Sequence, residues 1–316
     1  MSVALVTGAT GQDGSYLVER LLAEGHEVHG LVRPEDLGGP LPDGLVVHEV
    51  DLDTDAGELV DLVDRVAPDE LYNLGGISSV ARSWEDPVLT TRVNGVAALT
   101  LMDAARRLQE RTGREGRVLQ PSSAEIFGEP TRSPQDEETA IRPVSPYGAA
   151  KAFAHHVAGV ERSRGLFTAT VILYNHESPR RPATFVTRKI TSTVAAIAAG
   201  RADRLRLGNL DARRDWGWAP DYVDAMVRAV RHDEPGDYVV ATGRAHSVRD
   251  FVAAAFEHAG VERWERFVEV DPALFRPADP SVLVGDPTRA REVLGWHPSV
   301  GFEDLVGHLV DAEDAS

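Results

Sequence analysis

The sequence predicts an α/β protein built on a doubly wound parallel sheet, with a smaller C-terminal lobe for binding substrate. Three features carry that expectation. Short apolar runs alternate with longer amphipathic ones through the first two-thirds of the chain, the pattern of strands crossed over by helices. Three glycines stand where the first apolar run gives way to the first amphipathic one. After about residue 174 the alternation stops, and a polar, basic stretch rich in turn formers begins, NHESPRRPATFVTRK.

Each element has a local reason. Residues 3–7, VALVT, are apolar and rich in β-branched side chains, hence a strand. Residues 11–24 repeat apolar positions at helical spacing and stop at Gly25. Strands follow at 27–32 and 45–49, a helix at 55–66, a strand at 70–74, a helix at 94–111 and a strand at 117–120. Ser145 is a capping residue and Pro146 suits a first turn, so 145–164 reads as a helix. Residues 168–173 are expected to be the last strand of the series. Shorter elements come after the break, at 187–199, 221–231 and 248–259, with a final helix from Phe302. The expected division is 1–174 for the sheet domain and 175–316, in the main, for the second lobe, with chain crossing between them.

A chain of 316 residues can bury a full core. No apolar run reaches the ~18–20 residues that a bilayer span needs, and a strand-like run begins two residues after Met1, leaving no room for a signal peptide. Cysteine is absent, which excludes disulfides and thiolate metal sites and makes a reducing cytoplasm the expected compartment. Lys and Arg number 33 against 50 Asp and Glu, a net charge of −17 that argues against nucleic acid or a membrane surface as partner. An anionic small ligand would need a local basic pocket.

Gly8, Gly11 and Gly14 fall at G-x-x-G-x-x-G spacing within TGATGQDGSYL. Glycine permits the tight turn, lets backbone approach a diphosphate and allows close helix–strand packing, and the helix N-terminus adds free N–H groups and positive dipole. A βα turn that merely uses glycine would look alike; the place after the first strand of an α/β pattern points instead to a Rossmann-type dinucleotide site. The second strand is followed by Arg33. A carboxylate there would bind a ribose 2′-hydroxyl, whereas a cation suits a 2′-phosphate, so NADP is expected rather than NAD. Glu35 and Asp36 stand close by as rival partners for that guanidinium.

Tyr147 and Lys151 are four apart at the start of the helix opening SPYGAAK, hence on one face. An ammonium near a phenol favours phenolate, and such a tyrosine can take a hydroxyl proton while hydride leaves the same carbon. Y-x-x-x-K is common by chance and gains weight from the glycine turn and from QPSSAEIFG at a strand end.

Together, TGATGQDGSYL, SSAEIFG, YGAAK, NHESPRR, FVTRKI and RDWGWAPDYV resemble the GDP-mannose 4,6-dehydratases, extended members of the short-chain dehydrogenase/reductase superfamily. The resemblance runs from about Val3 to the final helix, through ATG, FRP and GDPTRAREVLGWHP. It implies NADP, a GDP-sugar substrate and a dehydration: oxidation at C4 acidifies the C5 proton, a carboxylate removes it, water leaves from C6 and the stored hydride returns there. It makes Tyr147 the base for oxidation, Lys151 its partner and a ribose ligand, Ser123 the hydroxyl that binds the 4-oxygen, and Glu125 the acid/base of dehydration. With Tyr147 and Lys151, the implied cofactor positions are Gly8, Thr10, Gly11, Gln12, Asp13, Gly14, Arg33, Asp51, Leu52 and Leu74. The implied substrate positions are Ser78, Asn175, Arg180, Lys189, Arg214 and Arg276. Arg180, Arg181, Arg188 and Lys189 concentrate cation in an acidic chain, as a nucleotide diphosphate requires. No metal is implied: His155, His156 and His176 lack ligand company and read as packing residues.

Three stretches depart from the family pattern. PEDLGGPLPDG is short and acidic where the family carries a longer basic segment reaching a neighbouring subunit's cofactor, so a homodimer built on 94–111 and 145–164 is expected, with a tetramer as the alternative. GGISSV replaces GAQSHV and places Ile77 and Ser79 in the cleft wall, and RDWGW replaces RDWGH with Trp218 for histidine; both bear on the sugar or base accepted. The rival readings are a dehydratase for another GDP-hexose, a nucleotide-sugar reductase or epimerase of the same superfamily, which has no need of Glu125, and a non-catalytic NADP-sensing regulator.

Overall fold

The apolar runs pair in parallel. The computed structural model describes residues 2–39, 41–53, 55–275 and 282–314. The first part of the chain forms β1 (Val3–Thr7), α1 (Gln12–Ala23), β2 (Glu27–Val32), β3 (Val46–Glu49), α2 (Ala56–Val66), β4 (Glu70–Asn73), α3 (Val80–Glu85), α4 (Pro87–Thr91), a π-helical turn over Arg92–Val96, α5 (Ala97–Thr112), β5 (Arg117–Ser123), α6 (Pro146–Ser163) and β6 (Phe167–Leu173). Then come β7 (Asn175–Glu177), α7 (Val186–Ala198), β8 (Leu205–Leu207), β9 (Arg213–Trp218), α8 (Ala219–Arg231), β10 (Asp237–Val240), β11 (Ala245–Ser247), α9 (Val248–His258), β12 (Val268–Val270), β13 (Val282–Leu283), α10 (Thr288–Leu294) and α11 (Phe302–Asp314).

Seven strands make one sheet in the order β10-β6-β5-β4-β1-β2-β3, with every pairing parallel. The chain winds outward from β1 to β3, then restarts at β4 and winds the other way. The crevice beyond the carboxyl ends of β1 and β4 is therefore the switch point where such sheets bind ligands. Residues 168–173 are not the last strand, as the alternation suggested: β10 joins outside β6, after the chain has left and returned.

Helices cover both faces. Leu59 and Leu62 of α2, Leu101 and Met102 of α5 and Ala154 of α6 fill one side. Leu17 and Leu21 of α1, Val223 and Met226 of α8 and Leu294 of α10 fill the other. Each fully buried Leu, Val or Met contributes ~1.5–3 kcal/mol, so these two clusters hold the sheet at the centre.

A second arrangement centres on β9, paired in parallel with β7 and β13 and antiparallel with β11, with β8 and β12 paired apart. Its core joins Ile190 and Val194 of α7, Phe251 and Phe256 of α9, and Leu305 and Leu309 of α11. Asp215 on β9 ties the two arrangements together. Its buried carboxylate accepts from Thr242 N (2.8 Å), Thr242 Oγ1 (2.6 Å) and Gly243 N (2.9 Å), just past β10. No helix among the described residues is long and apolar enough to cross a membrane.

Candidate active site

A cavity of about 510 Å³ opens at the carboxyl edge of the large sheet, between it and the β7–β9 strands. Its first wall is the turn from β1 into α1. Gly8 has φ of 65°, and a Cβ on it would lie 2.8 Å from the backbone of Gly75; a Cβ on Gly14 would lie 2.0 Å from the Gly8 carbonyl oxygen. No side chain fits at either place. Thr7 Oγ1 donates to Asn73 Oδ1 (2.9 Å) and accepts from Gly75 N (2.8 Å), lacing β1 to the end of β4 at the switch point. Gly11 caps α1 without a side-chain bond, so the first turn lacks a capping side chain, the kind of helix start that suits an anion.

The second wall is the end of β5. Ser123 Oγ accepts from Glu125 N (3.2 Å) and so caps the 3₁₀ turn over Ala124–Ile126, which brings Glu125 to the cavity. Among the described residues, Ser122 Oγ is buried here without a hydrogen-bond partner. The third wall is the first turn of α6, started by Ser145, whose Oγ accepts from Gly148 N (3.0 Å), and by Pro146. It sets Tyr147 and Lys151 in the lining one turn apart. Lys151 Nζ donates to the Pro121 carbonyl (3.0 Å), and Tyr147 shares a hydrogen bond with Ser123.

Burial dominates the ionisation of this pair. It pushes the Tyr147 phenol up to about 12, with the Glu125 carboxylate adding to the rise, while the Ser123 bond and the Arg181 guanidinium pull against it. It brings the Lys151 ammonium down to about 8, against the opposing pull of Asp13. The expectation that an adjacent cation lowers the tyrosine is thus corrected: removing the phenol from water outweighs the charges that favour phenolate.

The opposite wall comes from β7, α7 and β9, with Asn175, His176, Arg181, Lys189, Arg214 and Trp216. Arg181 stacks on Phe185 (3.7 Å) and pairs with buried Glu177 (3.3 Å). The Ile77 loop is held by Asn94, whose Oδ1 accepts from Ile77 N (2.8 Å) and whose Nδ2 donates to Ile77 O (2.9 Å). Asn94 sits in the π-helical turn, where the local change of pitch aims a helix residue at a loop.

Of the residues singled out from sequence, Gln12, Asp13, Gly14, Leu74, Ser78, Ser123, Glu125, Tyr147, Lys151, Asn175, Lys189 and Arg214 line this one cavity. Gly8, Thr10 and Gly11 form the turn beneath it, and Leu52 packs against Gly75, where a Cβ would lie 2.5 Å from its Cδ1. Asp51 accepts from Asp53 N (2.9 Å), and Arg33, exposed at the end of β2, pairs with Glu35 (3.0 Å) and Asp36 (2.9 Å). Arg180 is placed elsewhere: it stacks on Tyr16 (3.9 Å) and pairs with Glu19 (2.8 Å) on α1, and its neighbour Arg181 enters the cavity instead. Arg276 lies outside the described residues. Ile77 and Ser79 line the cavity, whereas Trp218 packs toward His308 (5.6 Å) in the C-terminal core.

Asn94 and His176 were not among the site residues read from sequence, whereas Arg181 was read there only as one of four clustered cations. His176 was read as packing, yet both its ring nitrogens are hydrogen-bonded in the cavity wall. The run NHE at the head of a strand was the available signal, since polar side chains there must be satisfied by a site or a network. Among the described residues no group of three or more His, Asp or Glu is arranged to hold a metal.

The family profile and the curated relatives name the same family. A family profile described as GDP-mannose 4,6 dehydratase matches residues 5–309. GDP-mannose 4,6 dehydratase 2 of Arabidopsis thaliana is 44% identical over 328 residues, covering 98% of this chain and 86% of the relative. GDP-mannose 4,6 dehydratase of Homo sapiens is 41% identical over 342 residues, covering 99% and 91%. Among solved structures, UDP-glucose 4-epimerase of Thermus thermophilus in complex with NAD aligns with a TM-score of 0.84 at 30% identity, over 99% of each chain. With the glycine turn, the Ser123–Tyr147–Lys151 group and a carboxylate in one cavity, and likeness along nearly the whole length, the chain belongs to the GDP-mannose 4,6-dehydratase family.

Proposed function

We propose that the chain converts GDP-mannose to GDP-4-keto-6-deoxymannose by internal hydride transfer and loss of water, with NADP as its nicotinamide cofactor. The residues present fit such a group: side chains are excluded from Gly8 and Gly14, the first turn of α1 is uncapped by any side chain, and Ser122 Oγ is buried without a partner. The turn at Gly11–Gly14 would hold the diphosphate, Arg33 the 2′-phosphate, and Tyr147 and Lys151 the nicotinamide ribose. The chemistry supplied there by a bound nicotinamide would be a reversible store for the hydride exchanged between C4 and C6 of the sugar.

The chain's own residues handle the protons. Ser123 binds the 4-oxygen, and Tyr147 takes the hydroxyl proton as C4 becomes a ketone. Arg181 is the cation that favours phenolate during that transfer, with Lys151 one turn along α6 in the same cavity lining. Glu125 then removes the C5 proton, acidified by the new ketone, and gives it to the departing C6 hydroxyl, which leaves as water. Once C6 is reduced, the enolate takes up at C5 the proton that Tyr147 had accepted, which resets the base. Ser78, Asn175, Lys189 and Arg214 line the cavity and would face the sugar nucleotide. In this division residues 1–174 serve mainly the cofactor and 175–316 mainly the GDP-sugar. We read the protein as cytoplasmic, in keeping with a chain that has no cysteine, and as a homodimer.

One observation carries the choice of dehydration over simple oxidation or epimerisation: Glu125 lines the same cavity as Ser123 and Tyr147. Oxidation at C4 needs no carboxylate; loss of water does. In Glu125→Gln the shape survives and the base is gone. GDP-mannose and NADP should bind as in wild type, and bound NADPH should still form. Exchange of the C5 proton with deuterated solvent and release of 4-keto-6-deoxy product should fall by ~10²–10⁴-fold. Near-normal exchange and product release in this variant would overturn the assignment.

A further inference from the structure

The mechanism moves no proton through the side chains of Asp13 and His176, although both stand in the cavity wall. His176 on β7 lies between two acceptors. Its Nδ1 is 2.7 Å from the Tyr174 carbonyl oxygen, and its Nε2 is 2.9 Å from Asp13 Oδ2. A carbonyl oxygen accepts and never donates, so Nδ1 carries a proton. An ionised carboxylate also accepts and never donates, so Nε2 carries one as well, and the ring is an imidazolium.

Asp13 is placed to be ionised. It stands in the first turn of α1, where the helix dipole favours an anion, and its Oδ1 accepts from Gln12 Nε2 (3.1 Å). Burial would push Asp13 up and His176 down; the charge and hydrogen bond that each offers the other move both the opposite way. The remaining charged or titratable groups on the pair are Arg181, just after β7, Tyr147 and Lys151 of α6, which feel the Asp13 charge, and Tyr222 of α8, on which the ring stacks at 4.6 Å and 19°.

The pair also pins two segments. Gln12 Nε2 donates to the His176 carbonyl (3.1 Å), and Gln12 Oε1 accepts from Ser178 Oγ (2.9 Å). Consecutive side chains of the glycine turn thus grip β7 and the residue after it. A carboxylate in an uncapped helix turn would by itself repel any diphosphate arriving there. We propose that Asp13 and His176 form a carboxylate–imidazolium pair that cancels this charge and fixes the anion-binding turn against β7, which makes Asp13 a positioning residue for His176 and for the diphosphate site. The functional half rests on the cofactor reading above; the protonation half does not.

The test uses the full-length chain carrying ¹⁵N-labelled histidine, free of cofactor and substrate, with the His176 signals assigned by their loss in His176→Gln. At pH 7.5 both ring nitrogens of wild-type His176 should show protonated shifts, and in Asp13→Asn one should become unprotonated. NADPH titration then separates the roles. His176→Gln leaves an uncancelled carboxylate and should weaken binding at least ~10-fold, and the double variant Asp13→Asn/His176→Gln should recover to within ~3-fold of wild type. A bare ring nitrogen in the wild type, or a double variant no better than His176→Gln, overturns the proposal. If His176→Gln fails to fold, the wild-type ring, assigned through Asp13→Asn, still decides it. A wild-type chain that binds no NADPH would overturn the cofactor reading and with it the functional half, leaving the ring nitrogens to judge the pair itself.

Discussion

Burial moves the two α6 residues of the site in opposite senses, because it disfavours a phenolate and an ammonium alike. For Lys151 this has a consequence for stability as well as rate. Its folded value, about 8, lies below the ordinary 10.5. Between those two values the unfolded chain holds more protons than the folded one, so the contribution of this group to stability rises with pH across that window. Lys151→Met should remove that slope and leave the cofactor-free protein about 1–3 kcal/mol more stable at pH 7, while turnover falls at least ~100-fold. Urea unfolding at pH 7 and pH 10 checks the first part; an unchanged slope in the variant would show that another group titrates. Arg33 tests the cofactor. Its guanidinium rests on Glu35 and Asp36, exposed pairs worth ~0–1 kcal/mol each, so a 2′-phosphate can recruit it at small cost. Arg33→Asp should weaken NADP binding ~10-fold or more and NAD binding far less. Calorimetry giving equal losses for both cofactors would remove Arg33 from the phosphate site.

At the level of elements, the strands and helices of the first sheet were legible because their periodicity is their burial. Residues 27–32 alternate and then run apolar as they enter the sheet, and Ser145 and Pro146 mark the start of α6 to the residue. What periodicity could not show was pairing at a distance. β10 is a short apolar run like any other, and it reaches the sheet beside β6 because α8 carries the chain back over the face that α1 already covers. The π-helical turn was equally hidden. Asn94 looks like an ordinary helix residue in the sequence, and its two bonds to Ile77, seventeen residues away, exist only once α4 and α5 are joined at a changed pitch. The site followed the same division. Ser123, Glu125, Tyr147 and Lys151 come from two local motifs at the end of β5 and the start of α6, and each motif presents its own pair to the cavity. The arginines of NHESPRR are adjacent and chemically alike. Which of them turns inward depends on a ring to stack upon: Phe185 draws Arg181 in, and Tyr16 holds Arg180 outside.

At the scale of the whole molecule, the charge of −17 and the apolar surface act against each other. Among the described residues, Val96 and Leu99 on the stretch joining the π-helical turn to α5, and Phe153 and Val160 on α6, are large apolar side chains left exposed. Phe153 and Val160 are seven apart, hence on one face, and a Cβ on Gly95 would lie 3.2 Å from the Phe153 ring, so the two helices present one continuous apolar strip. A second copy of the chain offers the same strip, and a two-fold axis along it would bring four helices together. We propose this strip as the dimer contact. Phe153 and Val160 lie on the outer side of α6, while Tyr147 and Lys151 line the cavity, so charge can be placed on the strip without touching the site. The double variant Phe153→Glu/Val160→Glu should scatter light as a monomer at micromolar concentration, where wild type should give about twice the chain mass. Two acidic protomers also repel, and raising salt from about 0.01 to 0.15 M shortens the screening length from about 30 to 8 Å. Wild-type association should therefore tighten with salt, the reverse of what an interface of ion pairs would do. A wild-type chain that stays monomeric at both salt concentrations, or a double variant that still dimerises, would place the subunit contact elsewhere.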